Sequence, residues 1–459
     1  MGLGGSGLFF RKNPKENQSD YKLYHEQRFN MHGYAAPKID TVRIGLIGIG
    51  ERGTGTVRRL AGIQGVDIKA LCDLVPQRVE DSIKSLREEF PKYNPETYTE
   101  NESSWKKVCE RDDIDLIYTA TPWNLHAEIA IYAMEQGKHV YTELPVGLTI
   151  EECWKVVEAS ERTKKHVFME SGSCHEGMAA TILNMSRHGV FGDIVHGEGT
   201  YIHDRVSNDK VRWTRDPQNS NWFGYRPWRL QENHGLGPVS QIMDLNYGDA
   251  MDYMVSISSD DFTMAPKMEQ IAQQDAYFKP YVGLNFRGNM NTSIIRTKRG
   301  RTIMLQHDIS SPRPNVRFNL ISGTNGVFQS YPRPAQFANH HDGWMPEEEF
   351  ESLLEKYEPT ITKTFNQKKK DASHDSSGGS YHNVTSTDWR LIDCLRNGLP
   401  IEMDVYDAAL WSVISPLSEA SVAREGASVK VPDFTSGSWK TNKRGMDISL
   451  EKGGNTGLF

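Results

Sequence analysis

The sequence predicts an α/β fold: an amino-terminal half built on a parallel sheet, joined to an α+β half with an open-faced mixed or antiparallel sheet. Three observations carry this. Residues 42–47 form an apolar run that leads straight into Gly48-x-Gly50-x-x-Gly53. Between residues 41 and 170, strand-length apolar runs alternate with segments of helical periodicity, as a parallel sheet with helices on both faces requires. Beyond residue 171, strand-like runs follow one another. Several are joined by glycine turns such as Lys298-Arg299-Gly300-Arg301, and the sheet they imply leaves one face free for a ligand or a second subunit.

The glycine turn comes first. Three glycines at this spacing let the chain turn tightly, approach a pyrophosphate closely and aim a helix amino terminus at it. A helix over 54–60 and a strand over 66–71 follow, and the strand ends at Cys72-Asp73. Asp73 stands twenty residues beyond Gly53, where an acid binds the two ribose hydroxyls of NAD and repels a 2′-phosphate. Residues 41–170 are therefore expected to form an NAD-binding Rossmann domain, with Gly48, Gly50, Glu51, Arg52, Gly53 and Asp73 on the cofactor. Residues 1–40 read as an arm, and 171–459 as a substrate and oligomerisation domain.

Residues 76–90 carry Val79, Ile83, Leu86 and Phe90 on one helical stripe. A buried strand over 114–119 runs on to Thr121-Pro122-Trp123-Asn124-Leu125-His126. Asn124 is placed to cap a helix over 127–136, which Gly137 closes. A strand over 139–143 ends at Glu143-Leu144-Pro145. Thr149 and Glu152 form a capping box for a helix through Arg162, and 167–170 is the last strand of this half. Ligands of an open α/β sheet gather at the carboxyl ends of its strands, so Thr121, Trp123, His126, Glu143 and Leu144 are expected beside the cofactor. In the second half a helix over 177–188 precedes strands over 194–202, 281–286, 293–297, 302–307, 316–322 and 326–329. Helices are expected over 238–247, 388–397 and 405–425, the last of them free to pack back on the first half, and 368–380 reads as a polar surface loop.

With 459 residues, 37% hydrophobic and 25% charged, the chain has room for two domains. A net charge of −7 argues against nucleic acid as a partner. No run of eighteen apolar residues is present to cross a membrane as a helix. The five cysteines, odd in number and scattered, give neither a disulfide framework nor a zinc spacing, and no metal is expected. Residues 1–10 are small and apolar without a complete signal-peptide pattern. We expect a periplasmic or secreted location after signal removal, with the cytoplasm as the alternative. The polar, aromatic residues 11–34 are expected to wrap over the surface or over a partner subunit.

Chemistry beside a nicotinamide needs acid and base groups that work near neutral pH, and histidine and tyrosine suit it. They cluster at three loop or strand-end positions: Ser173-Cys174-His175-Glu176, Tyr201-Ile202-His203-Asp204, and Trp228-Arg229 with His234-Gly235-Leu236-Gly237-Pro238. Cys174 beside His175 suggests a thiolate, but no third orienting group is identifiable. The histidines with Glu176 and Asp204 match no metal spacing.

The first domain resembles the Gfo/Idh/MocA oxidoreductases, whose second domain is an open-faced sheet. That group usually carries Glu-Lys-Pro after the fifth strand, with a catalytic lysine; here the run is Glu143-Leu144-Pro145. From about residue 30 to 439 the chain is similar to one branch, the NAD-dependent α-N-acetylgalactosaminidases of glycoside hydrolase family 109. The similarity rests on Phe29-Asn30-Met31-His32-Gly33-Tyr34-Ala35-Ala36-Pro37, Thr121-Pro122-Trp123, Gly197-Glu198-Gly199-Thr200-Tyr201-Ile202-His203-Asp204, His234-Gly235-Leu236-Gly237-Pro238-Val239, Gln306-His307-Asp308 and Asp388-Trp389-Arg390-Leu391-Ile392-Asp393-Cys394.

The resemblance implies a redox-neutral cycle. Tightly held NAD oxidises the sugar's 3-hydroxyl, a base removes the acidified C2 hydrogen, and the glycosidic oxygen leaves by elimination. Water addition and re-reduction complete the turnover, so paired carboxylates at a fixed separation are not needed. It also implies that Arg52, Asp73, Trp123, His126, Glu143 and Trp228 contact NAD, and that Tyr201 and His234 face the sugar. This chain departs from the family pattern on the sugar side. His175 and Asn315 stand where the family has tyrosines. The family's Tyr-Pro-Thr-His reads Gln231-Glu232-Asn233-His234, and its Gly-His-Gly-Gly loop reads Ser377-Gly378-Gly379-Ser380-Tyr381-His382. We therefore expect a changed glycoside preference. His175, Tyr201 and His234 are the catalytic candidates, and His203, Arg229, Asn315 and His382 the substrate contacts. The alternatives are a plain NAD-dependent sugar dehydrogenase and a non-catalytic NAD or sugar sensor.

Overall fold

The computed structural model describes residues 21–170, 174–204, 233–284, 286, 288–330, 334–375 and 384–459. The first sheet is made of β1 (Val42–Ile47), β2 (Val66–Cys72), β3 (Glu96–Tyr98), β4 (Leu116–Thr119), β5 (His139–Thr142) and β6 (Val167–Met169). All six run parallel, in the order β3-β2-β1-β4-β5-β6. Strand order reverses between β1 and β4, which opens a crevice at their carboxyl ends. The connections are α1 (Glu51–Ala61), α2 (Pro76–Glu89), α3 (Ser104–Cys109), α4 (His126–Glu135) and α5 (Ile150–Thr163). The capping box of Thr149 and Glu152 forms as the sequence predicts. Asn124 does not cap α4: it lies in a single 3-10 turn, Trp123–Leu125, and no side chain caps the helix.

The second sheet is mixed. It comprises β7 (Ile194–Ile202), β8 (Met251–Ser258), β9 (Asn291–Thr297), β10 (Thr302–Asp308), β11 (Val316–Gly323), β12 (Val327–Gln329), β13 (Gln336–Ala338) and β14 (Val429–Lys430). Their order is β13-β12-β11-β7-β10-β9-β8-β14; β7 and β10 pair parallel and every other pair is antiparallel. With it come α6 (Gly177–Arg187), α7 (Asn233–Ile242), α8 (Met264–Gln274), α9 (Glu347–Tyr357), α10 (Thr360–Asp375), α11 (Ser386–Asn397) and α12 (Val405–Val422).

Three expectations are corrected here. The strand expected over 281–286 is absent among its described residues: Ala276–Tyr281 is a 3-10 helix containing Pro280, and Gly283 follows at φ +78°, a conformation no strand holds. The strand beside β9 is instead Met251–Ser258. The charged run from Lys368 is helical as far as Asp375, because Ile361 and Phe365 bury one stripe of α10 while Lys363 and Lys370 stay exposed and Lys369 lies over the Phe365 ring. The helix expected over 238–247 begins five residues earlier and holds Pro238 inside it.

One helix joins the two halves. In α12, Tyr406, Ala409, Trp411, Val413, Ile414 and Leu417 are all fully buried. It packs on α5 and β6 of the first sheet and on β8 of the second. A helix buried on most of its circumference belongs in a core, and each large apolar side chain so buried contributes roughly 1.5–3 kcal/mol. The helix α11 packs back on α1 and β1, as its place late in the chain allows. The described part of the arm lies on its own chain. Lys22 carbonyl accepts from Trp154 Nε1 (2.7 Å), Tyr21 Oη donates to the Lys430 carbonyl (2.6 Å), and Met31 N donates to Tyr406 Oη (3.1 Å).

Two histidines are buried where β5 and β6 begin. His139 and His166 stack at 5.2 Å, and the His166 backbone N–H donates to His139 Nδ1 (3.0 Å). Burial pushes both imidazoles down, His166 to about 4. A base depressed in the folded state binds fewer protons there than in the unfolded chain, so stability is full above the unfolded value and is lost as pH falls toward the folded one. We expect the unfolding free energy to drop by about 2 kcal/mol between about pH 7.5 and about pH 5 on account of His166 alone. Urea titrations at both pH values check this: His166→Phe should flatten the acid limb by that amount.

Candidate functional site

The glycine turn at the end of β1 is fixed by close backbone approach. Gly48 sits at φ +88°, and a Cβ there would stand 2.7 Å from the Ala120 carbonyl carbon. A Cβ at Gly53 would stand 1.9 Å from the Gly48 carbonyl oxygen. At Gly50 the surroundings are open, with only Arg78 Nη1 near a would-be Cβ, at 3.8 Å. No side chain caps α1, and its first turn carries Glu51 and Arg52, both exposed. Uncapped first-turn N–H groups facing an open glycine are the cradle a dinucleotide pyrophosphate fits. Asp73, at the end of β2, closes it from the side. Its Oδ2 accepts from Ile49 N (2.7 Å) inside the turn, and its Oδ1 accepts from Val75 N (2.9 Å) and lies 3.4 Å from Arg78 Nη1.

The ends of β4 and β5 form the next part of the crevice. Thr119 and Thr121 join their hydroxyls (3.0 Å). The buried His126 ring lies between two carbonyl oxygens, Nδ1 2.8 Å from Pro145 and Nε2 2.8 Å from Thr121, so it ties the two strand ends together. Trp123 and Leu144 are buried. Glu143 is half-buried and accepts from Tyr118 Oη (3.1 Å).

In the second half, α7 is pressed directly onto β7. Gly199 and Gly235 meet backbone to backbone: a Cβ on Gly235 would stand 2.1 Å from Thr200 N. That contact brings His234 over Tyr201, their rings stacked at 5.0 Å and 17°. His307, in register with Tyr201 across the parallel β7–β10 pair, stacks on it at 5.5 Å and 17°. The Arg317 guanidinium lies 4.1 Å from the Tyr201 ring centre, and His203 stands edge-on at 6.4 Å. Tyr201, His203 and His234 are thus brought together. Sequence reasoning did not assign His307 or Arg317 to the site. The signal for His307 was present in Gln306-His307-Asp308; Arg317 reaches the group only through the pairing of β11 with β7.

His175 is placed differently. Its side chain is buried, Nε2 lies 2.9 Å from Glu402 Oε2 and Nδ1 3.3 Å from Thr387 Oγ1. Glu402 also accepts from Arg390 Nε (2.7 Å), and burial of the pair is offset by Arg390 first and His175 second, which hold Glu402 down at about 2. Both ring nitrogens of His175 thus face groups of its own chain, which hold the ring in place. Cys174 is buried against Gly237, where a Cβ would stand 2.7 Å from its sulfur. Asn315 is exposed just ahead of β11. Trp228, Arg229 and His382 lie outside the described residues. Among the described residues no three His, Cys, Asp or Glu side chains are grouped to hold a metal ion.

Comparison with known proteins accounts for both halves. The family described as "Oxidoreductase family, NAD-binding Rossmann fold" matches residues 42–171, and that described as "Glycosyl hydrolase 109, C-terminal domain" matches residues 176–441. A glycosyl hydrolase family 109 protein of Shewanella pealeana is 38% identical over 456 residues, 96% of each chain. The α-N-acetylgalactosaminidase of Bacteroides fragilis is 40% identical over 418 residues, 89% of this chain and 95% of that one. Among solved structures, levoglucosan dehydrogenase in complex with NADH and levoglucosan shares the fold, with a TM-score of 0.61 at 17% identity over 85% of this chain and 100% of that one. An oxidoreductase domain protein from Kribbella flavida does so at a TM-score of 0.59 and 16% identity, over 85% and 99%. With a Rossmann crevice at its β1–β4 reversal and a second domain matched across its length, this chain belongs to glycosyl hydrolase family 109.

Proposed function

We propose that this chain is an NAD-dependent glycosidase acting on an N-acetylgalactosaminide or a related glycoside. The observation that carries the reading is the 40% identity to an α-N-acetylgalactosaminidase, which runs through both domains rather than the cofactor domain alone. The glycine cradle supports it, with Gly48, Gly50, Gly53 and the α1 amino terminus receiving the pyrophosphate and Asp73 the adenosine ribose. Thr121, Trp123, His126, Glu143 and Leu144 shape the nicotinamide end. Bound there, NAD would supply reversible oxidation at the sugar's 3-hydroxyl, which acidifies the C2 hydrogen. Proton transfer at C2 and at the departing glycosidic oxygen falls to His234 and Tyr201, the two candidates that share one stack. We assign His175, fixed between Glu402 and Thr387, a positioning role. Leu144 stands where a lysine would serve a simple dehydrogenase, which favours a cycle that ends redox-neutral.

The partners proposed are a small carbohydrate and a second copy of this chain. The open face of the second sheet exposes Ile257 and Ile294, which supports a homo-oligomer. No helix among the described residues is long and apolar enough to cross a membrane.

Two outcomes are expected. A panel of α- and β-nitrophenyl glycosides in D2O should show aglycone release sustained by catalytic NAD, with deuterium appearing at C2 of the product sugar. His234→Ala should lower both by about 10²–10⁴-fold, whereas His175→Gln should stay within about tenfold of the parent. Stoichiometric NADH without aglycone would sink the glycosidase reading. For the cofactor, Asp73→Ala should weaken NAD binding roughly 10- to 100-fold and narrow the preference for NAD over NADP, as read by titration calorimetry.

A further inference from the structure

Beneath the ends of β4, β5 and β6, next to Glu143, lies a group of side chains that the proposed chemistry does not use: Tyr118, Tyr141 and Asp388 are buried and Glu170 is half-buried. Tyr141, from β5, is fully buried, and its Oη makes hydrogen-bond contact with two carboxyl groups, Glu170 Oε2 at the end of β6 and Asp388 Oδ1 of α11 (2.8 Å). Asp388 is an ion-pair partner and acceptor here: Arg59 Nε of α1 donates to its Oδ2 (2.8 Å), and so does Thr385 Oγ1 (2.7 Å). The phenol has one proton to give and two acceptors facing it. If that proton goes to Asp388, the contact with Glu170 is a hydrogen bond only when Glu170 brings a proton of its own. Beside them Tyr118 of β4 packs edge-on against Tyr141 at 5.1 Å, accepts from Thr56 Oγ1 (3.1 Å) and donates to Glu143 at the end of β5.

We propose that Glu170 is a protonated carboxylic acid that stores a proton for the cofactor site, releasing it to solvent when a cationic nicotinamide ring binds at the ends of β4–β6 and regaining it when the ring is neutral. The charges facing Glu170 give the sign. Among the described residues the carboxyl groups of Asp388 on α11 and Glu143 after β5 oppose a charge on Glu170, the Arg59 guanidinium of α1 favours it, and the phenols of Tyr118 and Tyr141 are neutral. A second net negative charge in this buried group is unfavourable until a cation arrives. Burial, then Asp388 and Glu143, push Glu170 up to about 7 against the pull of Arg59, so the store sits where a change in neighbouring charge moves it. The same surroundings push both tyrosines well above their ordinary range, which keeps the phenols neutral. The inference rests on the cofactor reading above.

The test is titration calorimetry of NAD⁺ and of NADH into the purified full chain, in buffers of different ionisation enthalpy near neutral pH. NAD⁺ binding should release a fraction of a proton and NADH binding a smaller one. NAD⁺ affinity should rise with pH through neutrality by up to about tenfold per unit, and Glu170→Gln should abolish both the release and the slope while still binding. Equal release by Glu170→Gln and the parent, or no release by the parent, would overturn the proposal. Should Glu170→Gln fail to fold, infrared difference spectra of the parent decide: a protonated-carboxyl carbonyl band lost on NAD⁺ addition, and shifted in Tyr141→Phe, supports it, and its absence overturns it. Failure to bind NAD at all would sink the cofactor reading first; binding without a linked proton would sink this proposal alone.

Discussion

There is no room for a side chain at Gly53. The Gly48 carbonyl oxygen occupies the space a Cβ would need, so α1 can lie directly against the turn that β1 feeds. The position of that helix decides much else. Its uncapped first turn faces the crevice; one turn further on, Thr56 reaches Tyr118; and Arg59 reaches Asp388 on α11. A glycine pattern usually discussed for what it does to a phosphate thus also sets the register between the sheet and a helix that arrives more than three hundred residues later in the chain.

The same device recurs in the second half. Gly199 and Gly235 give up their side chains so that α7 can touch β7, and the reward is the stack of His234 on Tyr201. In both halves a reactive or binding group stands at the end of a parallel strand and is aimed by a helix whose approach only glycine permits. Parallel pairing of β7 with β10 adds His307 to the stack without any further loop. Rigid elements hold these groups, which suits chemistry that must shift protons over short distances.

Much of this could be read from the residues in order. The glycine turn, Asp73, the Thr149 capping box and the strands of the first sheet are local signals, each carried by a few adjacent side chains. The stack was half legible, because Tyr201 and His234 belong to recognisable runs. Arg317 was not, since nothing near it in sequence says that β11 will lie beside β7. His175 was read by its type, yet its role depends on Glu402 and Thr387, both distant in the chain. The helix from Thr360 was hidden by its lysines, whose charge masks the few buried residues among them. The run from Tyr281 was mistaken for a strand because its apolar and aromatic residues mimic one, while the positive φ of Gly283 that breaks it leaves no mark in side-chain type.

The helix shared by the two sheets has a mechanical consequence. With α12 wedged against α5, β6 and β8 at once, neither half can swing without tearing open the common core. A joint with so little slack favours a dinucleotide that stays put over one that is traded for a fresh molecule after each event. Such retention is superfluous for an enzyme that discharges its carrier, and fitting for one whose carrier finishes each round in the oxidation state in which it began.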